Sequence, residues 1–122
     1  MTDALPPPAR IGDDTASPQL APAPDPLTVL VEVRAKPERQ EAFLTELVAT
    51  TKLREQEPGY LGAAVLYDSG DPARILIVEN FASAQALQRH EALPGTREFL
   101  GGIQQYLTAA PIRTTWHPAS QS

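Results

Sequence analysis

The chain has 122 residues, a formal net charge of −5 and no cysteine, and this length provides for one domain rather than two. The lack of thiols excludes disulfides, thiolate metal sites and cysteine nucleophiles, and the lack of a basic stripe argues against nucleic acid and anionic membranes as partners. Because no apolar stretch approaches the roughly 20 residues of a membrane-spanning helix and no signal peptide is recognisable, we expect a soluble, cytoplasmic protein.

The first 26 residues differ from the rest of the chain in composition. They hold seven of the 13 prolines and a net charge of −3, and their other residues are mostly small or polar. Because proline lacks an N–H and fixes φ, neither a helix nor a central strand is expected there. We predict a disordered, proline-rich N-terminal arm over residues 1–26, which is either a passive solubilising tail or a polyproline segment that docks on a partner.

The first predicted strand spans residues 27–34, where apolar residues alternate with others. The period becomes helical over residues 38–56, and Glu57-Pro58-Gly59 carries the turn residues that end this helix. The apolar stripe of the helix is expected to consist of Phe43, Leu44, Leu47, Val48 and Thr51.

Two further strands follow. They are predicted over residues 60–67 and 74–81, with a hairpin-type loop at residues 68–72 between them. The third strand is the most apolar segment of the chain, and its continuous apolar run indicates that both of its faces are covered.

The second helix is predicted in two pieces. Ser83 is suited to cap the first piece, which runs to His90 or Ala92, and Pro94-Gly95 breaks the helix. The second helical piece presents one apolar side, formed by Phe99, Ile103, Tyr106 and Leu107.

The last strand is predicted over residues 112–116.

This order, β-α-β-β-α-β, is that of the ferredoxin-like α+β fold, in which helices cover one face of a four-stranded antiparallel sheet. The other face would be bare, and monomers seldom expose large contiguous apolar patches. A two-fold partner is the simplest cover, so we expect a homodimer packed sheet to sheet. The apolar residues expected on that face are Leu30, Ala63, Val65, Leu76 and Val78.

Several short segments occur in an order and spacing shared with a known family. They are Leu27-Thr28-Val29, Val33-Arg34-Ala35-Lys36-Pro37-Glu38, Glu57-Pro58-Gly59-Tyr60, Asp71-Pro72-Ala73-Arg74, Glu79-Asn80-Phe81-Ala82-Ser83, and His90. With them, residues 27–117 resemble the antibiotic biosynthesis monooxygenase (ABM) family, and residues 118–122 are left as a C-terminal tail. The resemblance implies a dimeric α/β barrel. The family includes cofactor-free monooxygenases of anthrones and quinols, haem-degrading enzymes and an isomerase.

His90 is the best candidate for a general base, because an unperturbed imidazole titrates near pH 6.5. It is expected at the C-terminal end of its helix, near the mouth of a pocket between helices and sheet. The alternative is a structural histidine that is favoured by the helix dipole or bonded to a neighbouring loop.

Glu79 is the second candidate catalytic residue. Alternation places it on the same face of the third strand as Ile77 and Phe81, where an unpaired carboxylate costs free energy. A ligand-contacting acid or base is one interpretation. An ion pair with Arg34 or Arg113 is the other.

The residues expected to bind the substrate are mostly apolar. Phe81 stands where haem-degrading and anthrone-oxidising relatives carry a tryptophan. Val31 and Ile77 stand where those enzymes place asparagines, and Leu87 replaces a tyrosine of the anthrone type. These differences argue against haem degradation. The predicted substrate-binding residues are Val31, Leu66, Ile77, Phe81, Leu87 and Trp116.

Together, the resemblance and these residues predict a cofactor-independent monooxygenase that uses O₂ on a small aromatic, quinol or polyketide-like substrate. No nucleotide, phosphate or metal motif occurs in the sequence, so no cofactor and no metal are expected. Two alternatives stay open: a non-catalytic dimer that binds a small apolar or aromatic molecule, and an isomerase that uses the same pocket.

Overall fold

A computed structural model describes residues 25–120 of the chain. The predicted N-terminal arm therefore lies outside the described residues, apart from its last two positions. Among the residues described, no helix is both long and apolar enough to cross a membrane. The elements are β1 Leu27–Arg34, α1 Gln40–Leu53, β2 Tyr60–Asp68, β3 Asp71–Phe81, α2 Ala84–Ala92, α3 Pro94–Gly102 and β4 Ile112–Trp116.

The four strands form one antiparallel sheet in the order β2-β3-β1-β4. Short 3-10 turns flank α1 on both sides and follow α3. Pro94 starts α3 at the point where α2 has ended, so the second helix is split as expected. The α+β, ferredoxin-like fold predicted from the sequence is thus confirmed.

Element boundaries differ from the prediction in two places. The third strand begins at Asp71, so the hairpin loop shrinks to Ser69 and Gly70, where the Asp68 carboxylate accepts a hydrogen bond from the Gly70 N–H at 2.8 Å. Val48 was expected in the buried stripe of α1 but is 44% exposed. The stripe is narrower than the pattern indicated, because α1 packs against the sheet mainly through Phe43 and Leu47.

The faces of β1 and β3 alternate regularly. Val29, Val33 and Ile75 are almost fully buried under the helices, and Val31 pairs with Ile77 on the same side. The intervening residues face away from the helices. This second side of the sheet, called the open face below, carries Leu30, Leu66, Leu76, Val78, Ile112 and Trp116.

A β-bulge in β2 changes which residues of this strand lie on the open face. Tyr60 pairs with Phe81 but Gly62, two residues later, pairs with Asn80, so Leu61 is an extra residue in the ladder. A shift of one residue moves every following side chain to the other face of the sheet. The predictions that Ala63 and Val65 lie on the open face are therefore wrong. Ala64 and Leu66 take those places, opposite Val78 and Leu76.

Candidate functional site

A cavity of about 200 Å³ lies between the helix-covered face of the sheet and the three α-helices. Its size suits a small molecule rather than a drug-sized one. Most of its wall is apolar, formed by Val29, Val31, Phe43, Leu47, Ile77, Leu87, Phe99, Leu100 and Ile103. Its polar wall residues are Thr50, Thr51, Arg54, Glu79, His90, Glu91, Thr96 and Arg113.

α2 places His90 in this cavity. The helix begins where the Ser83 hydroxyl accepts a hydrogen bond from the Ala86 N–H at 3.1 Å, as the sequence predicted. From this start, Ala86, Leu87 and His90 fall on one buried side of the helix, since residues three and four apart share a face. His90 is 7% exposed, and it lies in the cavity wall near the end of the helix.

The two ring nitrogens of His90 face two different carboxylates. Nδ1 is 2.8 Å from Oε1 of Glu57, and Nε2 is 3.8 Å from Oε2 of Glu79. An ionised carboxylate can only accept, so the hydrogen bond with Glu57 keeps the proton on Nδ1 and holds the ring in one orientation. This leaves Nε2 as the atom that can exchange a proton in the cavity.

Glu57 reaches His90 because the turn after α1 packs closely on α2. Gly59 has a φ of +80°, and a β-carbon added there would lie 2.6 Å from the β-carbon of Ala86. Its carbonyl also accepts a hydrogen bond from the Ala82 N–H at 2.8 Å. Only glycine permits this backbone conformation and this close approach together.

The variant Gly59→Ala is therefore expected to lose about 2–4 kcal/mol of unfolding free energy, from left-handed backbone strain and overpacking together. It should also displace Glu57 from His90, visible as changed chemical shifts of the imidazole ring in NMR spectra. Gly101→Ala is the control, because a β-carbon there meets nothing within 4 Å and the helix favours alanine. Equal stability of both variants would refute the close contact.

Glu79 is held under the helices by its register, opposite Val29 on β1 and Ala63 on β2. Burial raises the pKa of its carboxyl above the ordinary value of 4.5, and the positive charge available on His90 opposes this only in part. The ion pair considered with Arg34 or Arg113 does not form. Arg34 pairs with Asp71 and Arg113 with Glu91, each at 2.6 Å.

The raised pKa of Glu79 predicts a pH-dependent stability. The folded chain holds this proton more tightly than the unfolded one, so the stabilisation is complete below the unfolded pKa and is lost as pH rises through the folded pKa. Glu79→Gln removes the titration, so its unfolding free energy relative to wild type should rise from pH 4 towards neutrality in urea titrations. Glu98→Gln, at an exposed position of α3, should show no such trend. Parallel curves for Glu79→Gln and wild type would contradict the burial effect.

Aromatic rings surround His90 on its sheet side. The Tyr60 ring stacks at 6.1 Å and the Phe81 ring lies at 5.2 Å, measured between ring centroids. Burial, with the nearby charges of Glu79 and Glu57, raises the pKa of Tyr60 to about 12. The phenol is thus neutral at physiological pH. Its hydroxyl is buried and finds no hydrogen-bond partner within residues 25–120.

The structure brings some of the predicted site residues together and separates others. His90, Glu79, Val31, Ile77 and Leu87 line one cavity, and Phe81 is buried beside His90. Their roles in binding or catalysis stay predictions.

The structure does not place Leu66 and Trp116 with the other predicted binding residues, because both lie on the open face. Leu66 is opposite Leu76 and Trp116 is opposite Thr28, so neither side chain reaches the cavity.

Sequence reasoning missed three residues at this site: Arg54, Glu57 and Tyr60. Glu57 was interpreted only as part of a helix stop, and nothing in its neighbours along the chain points to a histidine 33 residues away. The one available signal was the clustering of charged residues before the Pro58-Gly59 turn.

The fold and the site define an α+β sandwich of one sheet and one helical layer, with an imidazole and two carboxylates beside an apolar cavity. The chain belongs to the ABM family, since the sequence model described as antibiotic biosynthesis monooxygenase matches residues 26–101. The resemblance predicted from the sequence is thereby confirmed. No curated protein matches the chain.

Solved structures share this fold at low sequence identity. A protein from Mycobacterium tuberculosis has a TM-score of 0.73 at 18% identity, over 80% of this chain and 98% of that chain. One from Pseudomonas aeruginosa has a TM-score of 0.72 at 23% identity, over 82% and 100%. A protein from Nitrosomonas europaea, provisionally described as an antibiotic biosynthesis monooxygenase, has a TM-score of 0.73 at 15% identity, over 82% and 96%.

Proposed function

We propose that the protein is a cofactor-independent monooxygenase of a small aromatic, quinol or polyketide-like substrate. The observation that carries this proposal is the His90 imidazole, buried in the wall of an apolar cavity and held through Nδ1 by Glu57. Family membership supports the reaction class.

In the proposed reaction, Nε2 of His90 removes a proton from the substrate. The resulting carbanion or phenolate gives electrons to O₂, and a hydroperoxide forms on the ring carbon. Loss of water from this hydroperoxide leaves a carbonyl, so one oxygen atom enters the substrate and the other leaves as water. The substrate is the reductant. The imidazolium gives its proton to the peroxide to form the hydroperoxide, and the imidazole then removes the remaining hydrogen of that carbon as a proton and passes it to the departing hydroxide.

The side chains around His90 suit these steps. The Glu57 carboxylate stabilises the imidazolium that forms, as the acidic member of a catalytic triad does. The apolar wall excludes water from the reactive carbanion. Glu79, with its raised pKa, is a second group that can hold a proton near Nε2.

A non-catalytic protein that binds a small apolar or aromatic molecule is the second candidate. Val31, Ile77 and Leu87 all face the cavity, and none of them offers a hydrogen bond to an enolate oxygen. Hydrogen bonds to a developing oxyanion contribute much of the rate enhancement in enzymes that form such anions. An isomerase that uses His90 in the same pocket is the remaining alternative.

We further propose that residues 27–117 form the working domain, that residues 118–122 are a tail, and that the domain pairs into a homodimer through its open face. Leu66, Ile112 and Trp116 are each at least half exposed there in the single chain. A partner sheet would cover them. The cysteine-free sequence suits a reducing compartment, so we place the protein in the cytoplasm.

The direct test is oxygen uptake by the purified chain with a panel of hydroquinones and anthrones. We expect uptake with at least one compound and a product that gains one ¹⁸O atom from ¹⁸O₂. Native mass spectrometry of the protein as purified separates the second candidate, because a retained ligand without any turnover fits only a binding protein. Uptake that equals that of a His90→Ala variant for every compound would refute the oxygenase for this panel.

A further inference from the structure

The guanidinium of Arg54 lies at the junction of the cavity and α3. Its side chain is only 13% exposed, and Nε is 3.5 Å from Oε2 of Glu57. A β-carbon added at Gly95 would lie 3.5 and 3.6 Å from the two terminal nitrogens, so these rest against the first turn of α3. The terminal nitrogens carry four of the five N–H donors of an arginine.

The first turn of α3 is itself a set of donors. The helix has nine residues and begins with Pro94, which has no N–H, and no side chain of the described residues caps it. The next backbone N–H groups, those of Gly95 and Thr96, therefore stand at the positive end of the helix dipole. A cation packed against a positive helix end is unfavourable, and Glu57 offsets this only at Nε, at 3.5 Å, so the terminal nitrogens of Arg54 and the helix end can share a further anion.

Thr96 provides independent evidence for a ligand. The residue is 5% exposed and lies in the cavity wall, and its hydroxyl has no hydrogen-bond partner among residues 25–120. Buried hydroxyls are nearly always hydrogen-bonded. An orphaned one beside an arginine and an uncapped helix is explained by a partner that arrives with the ligand.

We propose that Arg54, Thr96 and the N-terminus of α3 form a carboxylate-binding subsite, and that the molecule taken by the cavity is a small aromatic acid. Glu57 joins this subsite to the base, because one of its oxygens faces Arg54 and the other bonds His90 at 2.8 Å. The second cavity arginine, Arg113, is half exposed and already paired with Glu91. This inference deepens the proposed function and rests on it for the reaction, though not for binding.

The test is anaerobic calorimetry of the full chain with two probes, 2,5-dihydroxybenzoate and 2-methylhydroquinone, which differ in the carboxylate and cannot be oxidised without O₂. Wild type should bind the acid about tenfold to a hundredfold more tightly, as expected for a charge-assisted contact. Arg54→Met should remove this preference and leave the affinity for 2-methylhydroquinone within about twofold. Thr96→Val, which is isosteric, should reduce the preference severalfold. Arg97→Met, at an exposed position of the same helix, should keep it.

Equal affinities in wild type, no binding of either probe, or a preference that survives Arg54→Met but disappears in Arg113→Met would overturn the subsite. If Arg54→Met does not fold, the Thr96→Val variant provides the test, and an unchanged preference of that variant for the acid counts against the proposal. The two hypotheses fail separately. A carboxylate preference without oxygen uptake refutes the monooxygenase and retains the subsite, whereas uptake with equal binding of both probes refutes the subsite alone.

Discussion

Replacing His90 by alanine is expected to lower the rate on a true substrate by about 10²–10⁴-fold, the usual effect of losing a general base. His90 is 7% exposed in the cavity wall, and Glu57 bonds its Nδ1 at 2.8 Å, so we expect Nε2 to be the atom that takes the proton. The rate is measured as oxygen uptake, and circular dichroism checks that the variant is folded.

The chain offers a matched control in its other histidine. The side chain of His117 is 60% exposed, and its Nδ1 contacts the Pro26 carbonyl at 3.0 Å, away from the cavity. His117→Ala should leave the rate unchanged. Glu57→Gln keeps a hydrogen-bonding group but loses the charge, so it should lower kcat and shift the pH profile. A rate that His90→Ala does not change would make His90 a structural residue.

Replacing Val78 by aspartate is expected to abolish the proposed dimer and to leave the chain aggregated or unfolded. Val78 lies on the open face between Leu30 of β1 and Ala64 of β2. Burying this face is worth several kcal/mol, at about 25 cal/mol per Å² of apolar surface. A carboxylate placed there loses its hydration without gaining a partner, and this cost exceeds what the remaining contacts return. Sedimentation velocity at micromolar concentration measures the effect.

Val48→Asp is the control for that experiment. It makes the same change at a residue 44% exposed on the outer side of α1, and the variant should sediment like wild type. A wild-type chain that sediments as a well-folded monomer would overturn the sheet-to-sheet dimer. A soluble, folded, monomeric Val78→Asp variant would show that the domain is stable without its partner.

The order and type of the elements were determined by the sequence alone. The period of 2 in β1, the continuous apolar run of β3 and the helical period after Pro37 are local signals, and they depend only on neighbouring residues. The helix cap is a local signal of the same kind. The hydroxyl of Ser83 caps α2 as predicted, and the start of the helix sets which of its sides carries His90. Alternation also placed Glu79 correctly under the helices.

The tertiary structure decided the register of β2. Alternation gives the two faces of a strand but not which face turns inward once a bulge intervenes, and the extra residue at Leu61 reversed the predicted sides of Ala63 and Val65. Gly62, with a φ of +121°, permits this bulge, but a glycine in a strand has several other uses.

The partners of His90 were also decided only by packing. Glu57 and His90 are 33 residues apart, and their contact requires Gly59 to bring the turn after α1 against α2. The proposed subsite of Arg54 and Thr96 likewise depends on packing, because it would join the end of α1 to the start of α3. No sequence period reports such a contact, because each period describes one element, whereas the distance between two elements depends on how their side chains pack on the shared sheet.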